Sequence, residues 1–144
     1  MGKKRIAQGN EIESQEGTKQ AKTGRQKITQ FSSARIFISA SYNNTLISVG
    51  DGNGNIIAWA SAGALGFKGP KKATPFVASK IVENIFEKLS GVSLGRVTLS
   101  VQGVGGGRDA AVRAIAARGL DIVSLRDATP IPHNGCRPRK ARRV

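Results

Sequence analysis

The chain has 144 residues, with 23 Lys and Arg against 9 Asp and Glu, a formal charge of +14 and a pI near 11.0. That excess is larger than solubility requires and points to a polyanion such as nucleic acid, while the lack of a long apolar run or a basic amphipathic face argues against a membrane. The single cysteine, Cys136, rules out an internal disulfide and fits a reducing, cytoplasmic setting. No apolar stretch of the secretory kind opens the sequence, and Glu11, Glu13 and Glu16 are out of place in an acid-poor transit peptide.

Residues 1–32 are polar, lack apolar periodicity and hold seven cations against three anions, so a disordered basic extension is expected there. An α/β RNA-binding domain is expected over residues 33–128. From about Ala34, the residues Ile36, Ile38 and Ala40 alternate with Phe37 and Ser39. The turn formers Tyr42-Asn43-Asn44-Thr45 follow, and Leu46–Val49 makes a second strand. Asp51-Gly52-Asn53-Gly54 contains two hairpin-favouring pairs, and Ile56–Ala60 reads as a third antiparallel strand. Residues 61–73, with three glycines, a proline and three lysines, break the pattern as a loop. Thr74 is then placed to cap a helix with Pro75 in its first turn. Val77, Ile81, Ile85 and Leu89 share one face of it, and Gly91 ends it. Val97, Leu99 and Val101 alternate with Thr98, Ser100 and Gln102 as a fourth strand. A glycine-rich turn, Gly103–Gly107, leads to a short helix near Arg108–Arg118, and Leu120–Leu125 makes the fifth strand. The order β-β-β-α-β-α-β predicts a mixed five-stranded sheet with helices packed on it and the last two strands each parallel to a neighbour.

Residues 129–144 are expected to be a basic C-terminal tail. From Arg137 on, five of eight residues are cationic (Arg137, Arg139, Lys140, Arg142 and Arg143) and none is acidic. Ordering such a segment costs roughly 1–2 kcal/mol per residue of backbone entropy, which phosphate bonding and counterion release can offset. The alternative is a tail that only solubilises. Within the body, the turn GVGGGR opens a helix. Its glycines permit close backbone approach to a phosphate, and Arg108 adds a fork of donors. The same glycines would equally serve a tight strand-to-helix connection. Neither the dinucleotide fingerprint nor the Walker pattern is present, so no nucleotide cofactor is implied. Lys68, Lys71 and Lys72 crowd a loop before a helix, with Phe67 either stacking on a base or tucked into the core. Arg108 and Arg113 are the expected anchors of the body on RNA. His133 and Cys136 lie three apart with no third ligand in the pattern, which favours a structural or RNA-contacting role over a metal site.

Four strings carry a resemblance: SYNNT (41–45), WASAGALGFKGPKKATPF (59–76), GVGGGRDAAVRA (103–114) and TPIPHNGCRPRKARRV (129–144). Together they resemble the bacterial form of the family of the eleventh protein of the small ribosomal subunit. The resemblance implies a ribonuclease-H-like fold without the nuclease centre, on the platform of the small subunit, bridging helices of its ribosomal RNA. It further implies the seventh and eighteenth small-subunit proteins as neighbours, a place beside the Shine-Dalgarno cleft, and contact with the third initiation factor. The family's contacts fall here on Asn43, Asn44 and Thr45, on Lys68, Lys71 and Lys72, on Gly105, Gly106, Gly107 and Arg108, and on Pro132, His133, Asn134, Gly135 and the tail cations through Arg143. Val104 stands where relatives carry proline.

A metal-dependent nuclease on this fold would need carboxylates on the first strand, the first helix and the fourth strand. Ser39 and Ser41 occupy the first place, no acid lies between Val97 and Gln102, and Glu83 stands alone. The expectation is a non-enzymatic RNA-binding structural protein without cofactors. Its rival is a free-standing nucleic-acid chaperone.

Overall fold

The computed structural model describes residues 29–137, 139 and 140. Five strands are present: β1 (Thr29–Ala40), β2 (Thr45–Asp51), β3 (Ile56–Ser61), β4 (Val92–Gln102) and β5 (Ile122–Asp127). Helix α1 (Pro75–Lys88) joins β3 to β4, and α2 (Gly107–Ala116) joins β4 to β5. The strands lie in the order β3-β2-β1-β4-β5. The β1–β2 and β2–β3 pairs are antiparallel, and the β1–β4 and β4–β5 pairs are parallel. This is the mixed α/β sheet expected from the element order.

One-sided burial explains why the strands alternate. Ala34, Ile36, Ile38 and Ala40 of β1, Ile47 and Val49 of β2, Ala58 and Ala60 of β3, and Val97, Leu99 and Val101 of β4 are buried. The helices cover this face with Val77, Ala78, Ile81, Val82 and Ile85 of α1 and Ala111 and Ile115 of α2, and they also pack on each other. Each large aliphatic side chain withdrawn from water contributes about 1.5–3 kcal/mol, so the stripe Val77, Ile81, Ile85 is what holds α1 in place. Among the described residues, the other face of the sheet carries no helix.

Several boundaries differ from the sequence expectation. β1 begins at Thr29, inside the segment expected to be an extension, and β4 begins at Val92 rather than Val97. Residues 29–33 and 92–96 pair with each other as a two-stranded parallel ribbon reaching past the rest of the sheet. β5 is shifted to Ile122–Asp127 because its pairing with β4 starts at Val97–Ile122 and then slips by one residue. The loop before α1 contains a 3-10 helix, Gly69–Ala73. Thr74 occupies the N-cap position of α1 but does not cap it. Its hydroxyl donates to the Lys71 carbonyl at 2.9 Å, because the preceding 3-10 turn presents that acceptor.

Because β1, β3, β4 and β5 all run in one direction, their carboxyl ends lie together. The β1–β2 turn, the loop and 3-10 helix before α1, the glycine turn before α2 and the segment after β5 therefore gather at one end of the domain. The other end holds the Asp51–Asn55 hairpin and the two helix-to-strand returns.

Candidate nucleic-acid interface

The shared carboxyl end is knit by backbone contacts. Ser41 N–H donates to the Asn44 carbonyl at 2.9 Å, and the Ser41 hydroxyl accepts from Asn44 N–H at 3.0 Å, closing the β1–β2 turn. Gly105 N–H reaches across to the Ala40 carbonyl at 2.9 Å. A Cβ at Gly103 would strike the Ala40 carbonyl, one at Gly105 the Ser41 carbonyl, and one at Gly107 would lie 2.6 Å from Thr45 Oγ1 and 3.2 Å from Ala78 Cβ. Gly103 and Gly105 are therefore required by close backbone packing against the end of β1, and Gly107 by the buried Thr45 side chain and α1. Gly106 is exposed, beside the end of the 3-10 helix at Ala73. Thr45 and Asn44 are drawn inward: Thr45 is fully buried, and Thr45 Oγ1 and Asn44 Oδ1 have no hydrogen-bond partner among the described residues. Of the turn, Tyr42 and Asn43 face solvent.

Arg108 is committed to the protein itself. Its guanidinium donates to Asp127 Oδ2 at 2.7 Å, to the Gly103 carbonyl at 2.9 Å and to Thr129 Oγ1 at 3.4 Å. Thr129 Oγ1 in turn donates to Asp127 Oδ1 at 2.6 Å and accepts from Gly103 N–H at 3.1 Å. The cluster clamps the glycine turn to the start of the C-terminal segment. Asp127 and Thr129 are functional-site residues that sequence reasoning missed: they lie 19 and 21 residues from Arg108, and no local spacing pairs them.

The Arg108 and Thr129 hydrogen bonds hold the Asp127 carboxyl well below its ordinary value of 3.8. A carboxylate lowered on folding stabilises the fold above its unfolded pKa and loses that contribution as pH falls through its folded one. The clamp should thus be intact at neutral pH and open only in strong acid. The difference in urea midpoint between the parent chain and Asp127→Asn is expected to be constant above about pH 5 and to shrink below 3.8. A difference that instead changed between pH 6 and 8 would contradict this assignment.

Among the described residues, the other cations around this end make no such ties. Lys68 and Lys71 are exposed and Lys72 is half-buried, on or beside the 3-10 helix. Phe67 is half-buried against the core, so of its two readings the tucked one holds. Arg113, in the last turn of α2, lines a groove with Pro75, Ser79, Gly106, Asp109 and Ala110 that runs along α2 from the amino ends of both helices. Among the described residues it has no carboxylate within ion-pair distance. The helices run in the same direction, so both amino ends add partial positive charge here, offset in part by Asp109 in the first turn of α2.

Beyond Thr129, residues Pro130–Arg137, Arg139 and Lys140 are exposed wherever a side-chain environment is described, including Pro132, His133, Asn134 and Gly135. Asn134 takes a left-handed φ of 57°, which Asn tolerates. Arg142 and Arg143 lie outside the described residues, as do residues 1–28.

Cations, two helix amino ends and a basic tail at one end of an α/β sheet define a nucleic-acid docking domain. Residues 32–143 match the sequence model of the family described as ribosomal protein S11. The chain is 52% identical over 110 residues to the small ribosomal subunit protein uS11 of Nautilia profundicola, covering 76% of this chain and 85% of that one. It is 48% identical over 126 residues to the protein of the same name from a Nitratiruptor species, covering 85% and 97%, and 52% identical over 110 residues to that of a Sulfurovum species, covering 76% and 89%. The chain belongs to the ribosomal protein S11 family: it is a structural, non-enzymatic, RNA-binding protein of the small ribosomal subunit.

Proposed function

We propose that the carboxyl end of the sheet is the face that docks on small-subunit ribosomal RNA, with the basic tail laid between RNA helices on the platform. The observation that carries this reading is the convergence of separate segments, residues 41–45, 68–72, 105–110 and the root of the tail at 129–130, on one end of the domain. Asn43, Lys68, Lys71, Lys72, Gly106 and Arg113 touch RNA there. Thr45, Gly105, Gly107 and Arg108 hold the turns in shape beneath them, and Pro132–Gly135 with Arg137, Arg139, Lys140, Arg142 and Arg143 form the tail contact. Affinity comes mainly from phosphates and specificity from RNA shape.

In this reading the body and its basic N-terminal extension and tail bridge several RNA helices beside the Shine-Dalgarno cleft of a cytoplasmic ribosome. The seventh and eighteenth small-subunit proteins are neighbours and the third initiation factor a transient partner. A photocrosslinking residue placed in turn at positions 71, 113 and 139, in chain assembled into small subunits, should join to ribosomal RNA at a few defined nucleotides. The same residue at Asn53 or Asp121, at the opposite end, should not. Crosslinks from the far end alone would reverse the orientation, and crosslinks scattered over unrelated RNA would favour a nucleic-acid chaperone.

A further inference from the structure

The helix-free face of the sheet takes no part in the site above. Alternating with the core residues, it presents Arg35, Phe37 and Ser39 on β1, Leu46 and a largely buried Ser48 on β2, Trp59 on β3, Thr98 and Ser100 on β4, and Ser124 and Arg126 on β5. Register lays one row across all five strands: Trp59, Ser48, Phe37, Ser100, Arg126. Trp59 is 54% exposed and Phe37 41%. The two rings stand two strands apart, about 9–10 Å, with a serine between them.

Beside Phe37 runs a groove of about 320 Å³ that it lines with Arg35, Thr98, Ser100, Ser124 and Arg126. Among the described residues neither arginine has a carboxylate within ion-pair distance, and the strands place no acid on this face. Ser39 and Gln102, at the upper edge, share a second cleft with Tyr42, Gly103 and Thr129. The face is thus continuous with the docking end.

A protein partner would need a contiguous apolar centre, with charge at the rim. Here Phe37 and Trp59 flank a largely buried Ser48 with only Leu46 beside them, a strip narrower than the core of a protein interface, and the only charges the strands place on the face are positive. Separated aromatic platforms flanked by arginines match unpaired nucleotides, whose bases stack on rings while their phosphates meet cations. We infer that this face is a second RNA surface, which takes unpaired nucleotides by stacking bases on Phe37 and Trp59 with phosphates against Arg35 and Arg126. The inference rests on the chain being RNA-bound, but it uses residues distinct from those of the docking end.

Trp59 is the chain's one tryptophan, so its fluorescence reports directly on stacking. Titrating the full chain with a short single-stranded oligouridylate should quench Trp59, and a blunt RNA duplex of the same length should quench it far less. Phe37→Ala should weaken oligouridylate binding roughly 5- to 150-fold, the loss of one base stack, whereas Phe37→Tyr should retain it, with thermal melts showing both variants folded. Replacing Arg137, Arg139 and Lys140 by Gln should weaken ribosomal RNA binding yet leave a specific quench of Trp59 by the oligonucleotide. Absent quenching, equal quenching by duplex, or unchanged binding by folded Phe37→Ala would each overturn the inference. So would a Trp59 response to small-subunit proteins and not to RNA. If the tail variant loses ribosomal RNA while the oligonucleotide never quenches Trp59, the docking end stands and the stacking face falls.

Discussion

Removing Arg137–Val144 should weaken binding to small-subunit ribosomal RNA by on the order of 10- to 100-fold at physiological salt. It should also flatten the dependence of log K on log salt by about 3–5 units. The segment carries five cations and no acid, and each phosphate it neutralises releases counterion in proportion. The body should stay folded, because Arg137, Arg139 and Lys140 are exposed and the last clamp to the sheet is made at Thr129. Filter binding at several salt concentrations, with circular dichroism to verify folding, measures both quantities. An unchanged slope with a folded body would mean that the tail cations meet water and not phosphate.

The second large effect is on the glycine turn. Gly103→Ala is expected to cost about 2–4 kcal/mol of stability and to weaken RNA binding with it. Gly103 has φ +94°, and a Cβ there runs into the Ala40 carbonyl, so backbone strain and a main-chain clash act together. Gly54 is the control: its φ is +97° but nothing lies within 4 Å of the added carbon, so Gly54→Ala should cost only about 1 kcal/mol. Urea midpoints of the pair test this. Equal losses would show that the turn is strained but not packed. The same displacement should move Arg108 off Thr129 and Asp127, and with it the root of the tail.

The strands and helices that the sequence shows plainly are those buried on one side. Ile36-Ile38-Ala40, Val97-Leu99-Val101 and Val77-Ile81-Ile85 carry the period of their element because every repeat meets the same core. The β1–β4 ribbon is invisible in sequence for the opposite reason. Residues 29–33 and 92–96 pair with each other across some sixty residues; Val92 and Leu94 are only partly buried against the core, and Gly95 interrupts the second segment. The glycine turn was legible as a place where side chains cannot stand. Whether a phosphate or the protein's own backbone requires that was not, since both need the missing Cβ. Contacts to Ala40, Ser41 and Thr45 decide it for Gly103, Gly105 and Gly107. Arg108 was legible as a cation and not as a clamp, because Asp127 reaches it only through the parallel β4–β5 pair. Trp59 reads in sequence as one more strand residue. Only the lack of a covering layer among the described residues leaves it exposed.

The chain joins the sheet at Thr29 and quits it after Asp127, at opposite poles, and some nine residues of β1 separate the two levels in register. At about 3.3 Å per residue that is a span of roughly 30 Å built of hydrogen-bonded strand. Anything gripped by flanking residues at one pole is thereby kept a fixed distance from anything gripped at the other. In an assembling particle such a molecule acts as a gauge block, setting a spacing that flexible nucleic acid could not set by itself.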